Sequence, residues 1–581
     1  MKDSTAPSSA LANGYEPKWW KEAVVYQVYP RSFKDSNGDG IGDLNGITEK
    51  LDYLEKLGVN VIWLSPHYDS PNADNGYDIR DYRRVMAEFG TMADFDQMLA
   101  GIKKRHMRLI VDLVVNHSSD EHKWFVESRK SKDNPYRDYY IWRPGKPNPA
   151  APNGFDPPNN YRSFFGGPAW EFDPQTKEFY LHLFAVKQPD LNWENPKVRE
   201  EVYGLMKFWL DKGVDGFRMD VIPFISKQPG LPDLTPEQMK NPDAVYASGP
   251  RLHEFLQEMN GKVLSHYDAM TVGEAAGINL QQTPSLVDDR KHELNMIFNF
   301  DAVRLDRSFT SWAPPKLSHL RAVYADHARE LDKHSWDTVF LANHDNPRLV
   351  STFGDESPEY RVASSKLLQT LLLTLRGTVF LYQGDELGMT NFHFTSIDQM
   401  DDIASKNMYK AMVATGKVPE ALFFEMTNHI ARDHARTPMQ WDATENAGFS
   451  PAGVKTWLAV NPNYKQINAA AAVADKDSIY HYTARAVALR HAHRALVYGD
   501  YQDLDPANEH VYAYTRTLGP ESKEERFLVV LNFGRAPQVY TLPGGVKAGK
   551  LELGNLPNVP GSEQHSTELS LRPWEARVYR F

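Results

Sequence analysis

The chain has 581 residues and a formal net charge of -11, with 41% hydrophobic and 24% charged residues. This length is too great for one compact core, so we expect two or three globular domains. The negative net charge argues against a nucleic-acid partner and suits a neutral ligand, or a ligand that binds together with a cation. The absence of cysteine excludes disulfides, a thiol nucleophile and a thiolate metal site.

The sequence contains no apolar run close to the roughly 18 residues that a membrane-spanning helix needs. Its beginning, MKDSTAPSSALANGYEPKWW, has no apolar segment of the kind found in signal peptides. We therefore expect no membrane partner and a cytoplasmic location, or a periplasmic one if a signal peptide has been removed.

Apolar, β-branched runs alternate with helical patterns along most of the chain. These runs lie at 23–30, 59–66, 108–117, 214–222, 269–275, 296–301, 337–345 and 378–386. Polar residues recur where the runs end, and no glycine-rich phosphate motif follows the first run. The pattern favours the α/β class and a (β/α)8 TIM barrel, formed by residues 1–117 and 188–497, over an open doubly wound sheet.

Three other segments depart from this rhythm. Residues 118–187 are rich in Pro, Gly, Asn, Asp and aromatic residues, and predict an inserted loop-rich subdomain that overhangs the barrel mouth. Residues 387–456 are polar and partly helical, and we expect them to add loops to the same mouth. Short alternating runs such as HVYAYTRTL and RFLVVLNFG predict a C-terminal antiparallel β-sandwich domain over residues 498–581.

Three acidic residues, Asp220, Glu274 and Asp345, lie at or near the ends of the fourth, fifth and seventh predicted strands. In a barrel these ends converge on one pocket. Two carboxylates about 5–5.5 Å apart can cleave an acetal by a retaining double displacement, one as nucleophile and one as acid. We expect Arg218, on the same strand face as Asp220, to lower the pKa of that nucleophile, and burial to raise the pKa of Glu274.

The blocks GFRMDVI, VGEA, NHD, DLVVNH and QPDLNWEN resemble the signature blocks of glycoside hydrolase family 13, the α-amylase family. QPDLNWEN and RTPMQWD resemble its oligo-1,6-glucosidase and sucrose isomerase branch, which also includes hydrolases of isomaltulose and trehalulose. The resemblance covers most of the chain and agrees with the predicted barrel, inserted subdomain and C-terminal β-domain. Relatives in this branch are commonly monomers, so a monomer is expected.

The resemblance implies roles for individual residues. Asp220 would be the nucleophile and Glu274 would be the general acid and base. Asp345 would bind sugar hydroxyls and favour the distorted transition state. Arg218 would orient Asp220, while hydroxyls of the glucosyl unit would be bound by His117 and His344. The remaining members of the predicted pocket end are Tyr77, which offers a stacking face, and Asp78 and Arg432, which offer charged hydrogen bonds.

The loop DSNGDGIGD, residues 35–43, carries oxygen ligands at the spacing of an EF-hand-type calcium loop. The predicted ligands are Asp35, Asn37, Asp39, the carbonyl of Ile41, and Asp43, and Gly40 permits the sharp turn. The twelfth position is Gly46, so the loop is not a true EF-hand. An Asx-rich turn without metal is the alternative. The related branch carries such a loop, and we expect structural Ca²⁺, which Mg²⁺ could replace.

The activity is expected to be hydrolysis of short α-glucosides by an exo-acting enzyme. In similar family members, Val directly after the nucleophile accompanies preference for α-1,6 links, and Val221 occupies that place. Isomaltose, isomaltulose, trehalulose and sucrose are therefore the expected small-molecule substrates. A non-catalytic relative of the family is disfavoured, because all three carboxylates are present.

A sucrose isomerase that uses the same double displacement is the alternative. RLDRS, residues 304–308, resembles the isomerase loop RLDRD with Ser308 in the last place, and Arg304 and Arg307 would hold fructose. Isomerases trap fructose between two aromatic residues; Phe300 matches one, but Ala276 stands at the other place, which favours hydrolysis. Phe165 and Phe184 are candidates for the pocket walls, with core packing as the alternative. Glu386 could contact the sugar on the leaving-group side, and a structural role at the end of the eighth strand is the alternative.

Overall fold

The computed structural model describes residues 10–305, 307, 311–519, 525–558 and 564–581. All eight predicted strands form one parallel sheet: β1 Val24–Val28, β2 Val61–Leu64, β3 Arg108–Leu113, β4 Gly216–Met219, β5 Met270–Glu274, β6 Met296–Phe298, β7 Thr338–Val339 and β8 Thr378–Tyr382. Their spatial order is β6-β5-β4-β3-β2-β1-β8-β7. The Thr338 hydroxyl of β7 donates to the Ile297 carbonyl of β6 at 2.9 Å, across the gap between the first and last strand of this order. The predicted TIM barrel is confirmed.

Alternating strand residues separate the barrel interior from the layer beneath the helices. In β1, Val25 packs in the interior with Trp63 of β2 and Phe380 of β8. Its neighbours Val24 and Tyr26 belong to the core that the surrounding helices cover. Both faces of each strand are thus buried, which explains the nearly continuous apolar runs in the sequence.

Helices connect the strands and begin and end at residues that stabilise helix termini. Asn195 caps the helix Pro196–Lys212, in which Pro196 takes the first turn and left-handed Gly213 ends it. The α-helices are Leu44–Glu49, Leu51–Leu57, Met92–Lys104, Lys123–Ser128, Pro196–Lys212, Pro242–Tyr246, Leu252–Lys262, Thr283–Val287, Leu317–Glu330, Leu349–Phe353, Arg361–Thr374, Ile403–Met412, Glu420–Ile430, Asp433–Arg436, Ala469–Ala474, Ile479–Ala492 and Arg494–Tyr498. Among the described residues, we find no helix with the length and apolar character required to cross a membrane.

The segment 118–187 forms a small antiparallel sheet of its own, with strands Trp142–Arg143, Glu178–Leu181 and Trp170–Asp173 in that spatial order. A second hairpin pairs Lys146–Pro147 with Phe155–Asp156. An internal ion pair joins the chain just after this segment to the barrel: Lys227 Nζ lies 2.6 Å from Asp190 Oδ2 and 2.7 Å from Asn116 Oδ1.

The C-terminal part contains two antiparallel sheets, as predicted. One has the strands Asp500–Asp503, Val511–Leu518, Glu525–Asn532, Ala576–Arg580 and Lys550–Gly554 in spatial order, and the other pairs Gln538–Thr541 with Glu568–Leu571. Leu528 and Val530 pack toward Leu569 of the smaller sheet, whereas the intervening Val529 faces the main core. This alternation is typical of a β-sandwich layer.

Candidate active site

The C-terminal ends of the barrel strands surround a cavity of about 340 Å³. Its lining includes the three predicted carboxylates, Asp220 after β4, Glu274 at the end of β5 and Asp345 after β7. Residues far apart in the sequence meet here because parallel strands direct their carboxyl ends to one rim.

Arg218 links the carboxylates of this pocket. Its side chain is buried in the barrel interior, where Nη1 lies 2.6 Å from Asp220 Oδ1 and 2.8 Å from Asp112 Oδ1. Its Nη2 lies 2.8 Å from Glu274 Oε2. Two nitrogens of one guanidinium group therefore hold both catalytic candidates, so the two carboxylates face the same end of the cavity. Arg218 itself does not line the cavity.

Val221 adopts an unusual backbone conformation directly after Asp220. Its φ is 37° and its ψ is 38°, in the left-handed region that a β-branched residue rarely adopts. This conformation directs the Val221 N–H to Glu274 Oε2, at 3.2 Å, while the side chain lines the cavity. Backbone strain of this kind persists where the surrounding structure enforces it, and it is concentrated at functional sites.

Burial sets the protonation of the two bridged carboxylates. It raises the pKa of Asp220 to about 6, whereas Arg218 lowers that pKa, as predicted, without outweighing the burial. Burial likewise raises the pKa of Glu274 to about 7 against the effect of Arg218, as predicted, and the charges of Asp220 and Asp345 add to the rise. The order of the two pKa values suits an ionised nucleophile beside a protonated acid.

Asp345 lies among cations at the closed end of the pocket. Arg432 Nη1 and Arg436 Nη2 lie 3.0 Å and 2.8 Å from its Oδ1. Burial opposes its ionisation, but neighbouring His344 and the two arginines hold the pKa of Asp345 well below its ordinary value. Burial lowers the pKa of His344 to about 3, so that ring is neutral and the two guanidinium groups carry the effect.

Tyr77 and the two predicted histidines pack around these groups. The ring of Tyr77 stacks on that of His344 with centroids 5.3 Å apart, and Tyr77 lines the cavity, whereas His344 lies behind it. The Tyr77 hydroxyl has no hydrogen-bond partner within the described part of the chain. His117 also lines the cavity, and its Nε2 lies 3.1 Å from the Tyr77 carbonyl oxygen.

Two predicted pocket residues lie elsewhere. Asp78 is fully buried, accepts hydrogen bonds from the backbone N–H groups of Ala73 and Asp74, and is not part of the cavity lining, so its role as a sugar ligand stays a prediction. Glu386 accepts hydrogen bonds from the hydroxyls of Tyr26 and Tyr53, both at 2.8 Å, and does not line the cavity. These contacts favour the structural role that was one of the two alternatives for Glu386.

Residues that the sequence did not single out complete the charged end. Asp74 lines the cavity in the place expected for Asp78, and its Oδ1 lies 3.5 Å from Arg432 Nη2. Asp402 also lines it and accepts a hydrogen bond from Arg432 Nε at 2.9 Å. Asp74 precedes NGYD in the sequence and could have been considered with it. Arg436 begins the block RTPMQWD, which was quoted without a role for this residue, whereas no local signal marks Asp402.

The outer part of the cavity is largely apolar. Its predicted members are all present in the lining: Phe165, Phe184, Val221, Ala276, Phe300 and Arg304. The helices of the segment 387–456 add Met408, Phe423 and Ile430, which confirms that this segment reaches the mouth. Arg307 lines the cavity as well, whereas Ser308 lies outside the described residues.

The loop 35–43 has the oxygen groups that a hard cation prefers. Asp35 Oδ1 accepts from the N–H of Gly38 at 2.7 Å, and Asp43 Oδ1 accepts from that of Gly46 and caps the helix that follows. Among the described residues, none forms an ion pair with Asp35, Asp39 or Asp43. Burial and the nearby charges of Asp35 and Asp43 raise the pKa of Asp39. Among the described residues, Asp35, Asp39 and Asp43 do not form a group whose carboxylate oxygens converge closely enough to share one ion, so a calcium ion at this loop stays a prediction.

Comparison with known proteins agrees with this architecture. Residues 27–499 match the family model described as Alpha amylase, catalytic domain. An oligo-1,6-glucosidase from Parageobacillus thermoglucosidasius is 54% identical over 97% of this chain and 99% of its own. The structure of the trehalulose synthase MutB from Pseudomonas mesoacidophila MX-45 is similar with a TM-score of 0.92 at 51% identity, covering 97% of this chain and 99% of that chain. The structure of the isomaltulose synthase SmuA from Protaminobacter rubrum is similar with a TM-score of 0.93 at 51% identity, covering 97% of this chain and 99% of that chain. The chain belongs to the α-amylase family.

Proposed function

We propose that the protein is a retaining, exo-acting α-glucosidase that hydrolyses short α-glucosides and prefers α-1,6-type links. The observation that carries the proposal is the bridging of Asp220 and Glu274 by one guanidinium group at the inner end of the cavity. Such a pair provides a nucleophile and an acid within reach of one glycosidic bond.

In the first step, a carboxylate oxygen of Asp220 attacks the anomeric carbon while the bond to the leaving oxygen breaks. Glu274 donates its proton to that oxygen, and the glucosyl unit remains as an ester of Asp220. In the second step, Glu274 takes a proton from water, which attacks the same carbon and releases glucose and free Asp220.

The glucosyl unit would be held at the charged end. We assign Asp345 and Arg432 to its hydroxyls, because ionised groups form the strongest hydrogen bonds to such donors and acceptors. Asp74 borders the same end, where burial raises its pKa to about 7, and it is assigned to the hydroxyls as a further polar partner. The unpartnered hydroxyl of Tyr77 is a further candidate. His117 borders the same space, and Arg218 acts through Asp220 and Glu274.

The preference among substrates follows from the leaving-group side. We propose isomaltose, isomaltulose and trehalulose as substrates, with sucrose as a further one. The 54% identical oligo-1,6-glucosidase and the position of Val221 beside Asp220 support this choice. Sucrose isomerisation is the second candidate, because the trehalulose and isomaltulose synthases have nearly the same fold. Ala276 leaves room beside Phe300 for water, which favours hydrolysis.

Product analysis on sucrose, isomaltulose, trehalulose and isomaltose tests both candidates. Glucose release from isomaltose and isomaltulose is the expected result, and accumulation of isomaltulose or trehalulose from sucrose would establish isomerisation instead. The variant Asp220→Asn is the control for mechanism, and retention of its activity would contradict the assignment of the nucleophile.

We also propose a structural Ca²⁺ in the loop 35–43, held by Asp35, Asn37, Asp39, the Ile41 carbonyl and Asp43, with Mg²⁺ as a substitute. The ion would neutralise the three carboxylates and would stabilise the connection between β1 and the first helix. It lies outside the proposed catalytic steps.

The functional unit is proposed to be a monomer in the cytoplasm. A monomer is supported by the observation that one chain supplies Asp220, Glu274, Asp345 and the remaining cavity lining. Size-exclusion chromatography with light scattering tests the first point, and cell fractionation tests the second.

A further inference from the structure

A second cavity of about 410 Å³ lies apart from the catalytic one, and none of the residues that border it also borders the catalytic cavity. Its walls come from the strand Asp81–Val85, from residues 121–127 and from the helix Pro196–Lys212. These segments are distant in the chain, so the cavity exists only in the folded protein. Small molecules bind preferentially in such clefts between structural elements.

Two ring nitrogens in the wall of this cavity lack a hydrogen-bond partner. His122 Nδ1 accepts a hydrogen bond from the backbone N–H of Trp124 at 3.1 Å. Burial lowers the pKa of His122 to about 3, so the ring is neutral and its one proton lies on Nε2. Within the described ranges, neither His122 Nε2 nor Trp124 Nε1 has a partner, and neither is among the unpartnered polar atoms that the protein encloses. Both N–H groups are therefore free to donate to a ligand.

Charged side chains of both signs surround these donors. Arg80 is engaged, because its guanidinium group lies 2.7 Å from Asp69 Oδ1 and 3.1 Å from Glu121 Oε2. Five other charged residues at the cavity form no ion pair with any described residue: Arg83, Arg84, Lys123, Asp81 and Glu201. A ligand with a single sign of charge would meet like charges here, whereas each hydroxyl of a sugar can accept from a cation or donate to a carboxylate. Val126, which is 43% exposed, offers the apolar contact that a sugar ring also needs.

We propose that this cavity is a second binding site for a neutral mono- or disaccharide, distinct from the catalytic pocket. The inference rests on the proposed function only for the choice of isomaltose and glucose as the sugars to test. Tyr82 links the two sites, because it borders the second cavity and its hydroxyl donates to the His117 carbonyl at 2.8 Å. A sugar in the second cavity would therefore lie against the residue that holds the backbone of His117.

Hydrogen–deuterium exchange followed by mass spectrometry locates the bound sugar. The Asp220→Asn protein, which should not consume its ligand, is titrated with isomaltose, with glucose and, at constant ionic strength, with inorganic phosphate. We expect each sugar to slow exchange saturably at residues 81–85 and 121–127, and phosphate to leave these residues unchanged. Slowing by sugar at the catalytic residues 216–223 alone would overturn the inference. Slowing at the second cavity by phosphate but by neither sugar would assign the cavity to an anion and overturn it as well.

Two matched substitutions separate direct binding from an effect transmitted from the catalytic pocket. Arg84→Ala removes an unpaired cation at the second cavity, whereas Arg485→Ala makes the same change at an exposed residue of the distant helix Ile479–Ala492. The sugar concentration that half-saturates the slowing at residues 121–127 should rise about tenfold in the first variant, which is the effect of one lost hydrogen bond to a charged group. It should stay within about twofold in the second, and slowing at residues 216–223 should be unchanged in both. The same half-saturation in both variants would refute the site.

The exchange measurement and the glucosidase assay fail independently. Release of glucose from isomaltose by the parent enzyme, without slowed exchange at residues 81–85 and 121–127, overturns the inference alone. Slowed exchange at these residues in a protein that releases no glucose from isomaltose, isomaltulose, trehalulose or sucrose overturns the proposed function and supports the second sugar site.

Discussion

Asp402 connects the apolar helices to the charged end of the pocket, and its neutralisation should weaken catalysis. The carboxylate is buried, caps the helix Ile403–Met412 through the N–H groups of Ala404 and Ser405, and accepts a hydrogen bond from Arg432. Burial opposes its ionisation, but Arg432 and Arg436 lower the pKa of Asp402 to about 2. Asp402 is thus a charged partner that holds Arg432 against Asp345.

The substitution Asp402→Asn removes this charge and keeps a good helix cap, because Asn and Asp cap helices equally well. Arg432 retains Asp345 at 3.0 Å and Asp74 at 3.5 Å, so the guanidinium group keeps partial compensation. The expected loss is that of one hydrogen bond between charged groups, about 1.5–3 kcal/mol. If this loss falls on transition-state binding, kcat/KM decreases about 10- to 100-fold.

The assay is kcat/KM for isomaltose, with the melting temperature measured in parallel as a check on folding. Asp401→Asn is the matched control, since the side chain of Asp401 is 42% exposed and pairs with Lys406 on the surface. Surface pairs contribute little, so that variant should remain within about twofold of the parent. Equal activity of the two variants would refute the proposed positioning of Arg432 by Asp402.

Three further predictions concern protonation, metal and product choice. The pH profile of kcat/KM should rise through roughly pH 6 as Asp220 ionises and fall through roughly pH 7 as Glu274 loses its proton, and a flat profile across this range would contradict these roles. Removal of Ca²⁺ with EDTA should lower the melting temperature, added Ca²⁺ should restore it, and Asp39→Asn should abolish the response; melting that ignores EDTA would argue against the site. Ala276→Phe should raise the ratio of isomerisation to hydrolysis several-fold with sucrose, because it narrows the access of water beside Phe300, and an unchanged ratio would show that Ala276 does not control this choice.

The sequence by itself was sufficient to predict the barrel strands and the central pair of charged residues, Arg218 and Asp220. A strand buried on both faces must be apolar at successive positions, so the eight barrel strands were visible as runs. Arg218 and Asp220 stood out because two charged residues on one face of such a strand need partners. The C-terminal strands were visible for a related reason, since their alternating residues face different surroundings.

Burial and distant partners were decided by the tertiary structure. Asp74 and Asp78 are similar in sequence terms, but only the folded loop turns Asp74 to the cavity and Asp78 to backbone N–H groups. Glu386 follows a barrel strand as a catalytic residue would, yet two tyrosines from distant segments enclose it.

The balance of charge at Asp220 also required the fold. The nearby Arg218 could be read from the spacing, but the extent of burial that outweighs it depends on the whole barrel mouth. The same holds for Asp402, Met408 and Phe423, which reach the cavity from segments well after the last barrel strand. Local patterns report what each segment buries, whereas the pKa values and partners of a site depend on contacts between segments that are distant in the chain.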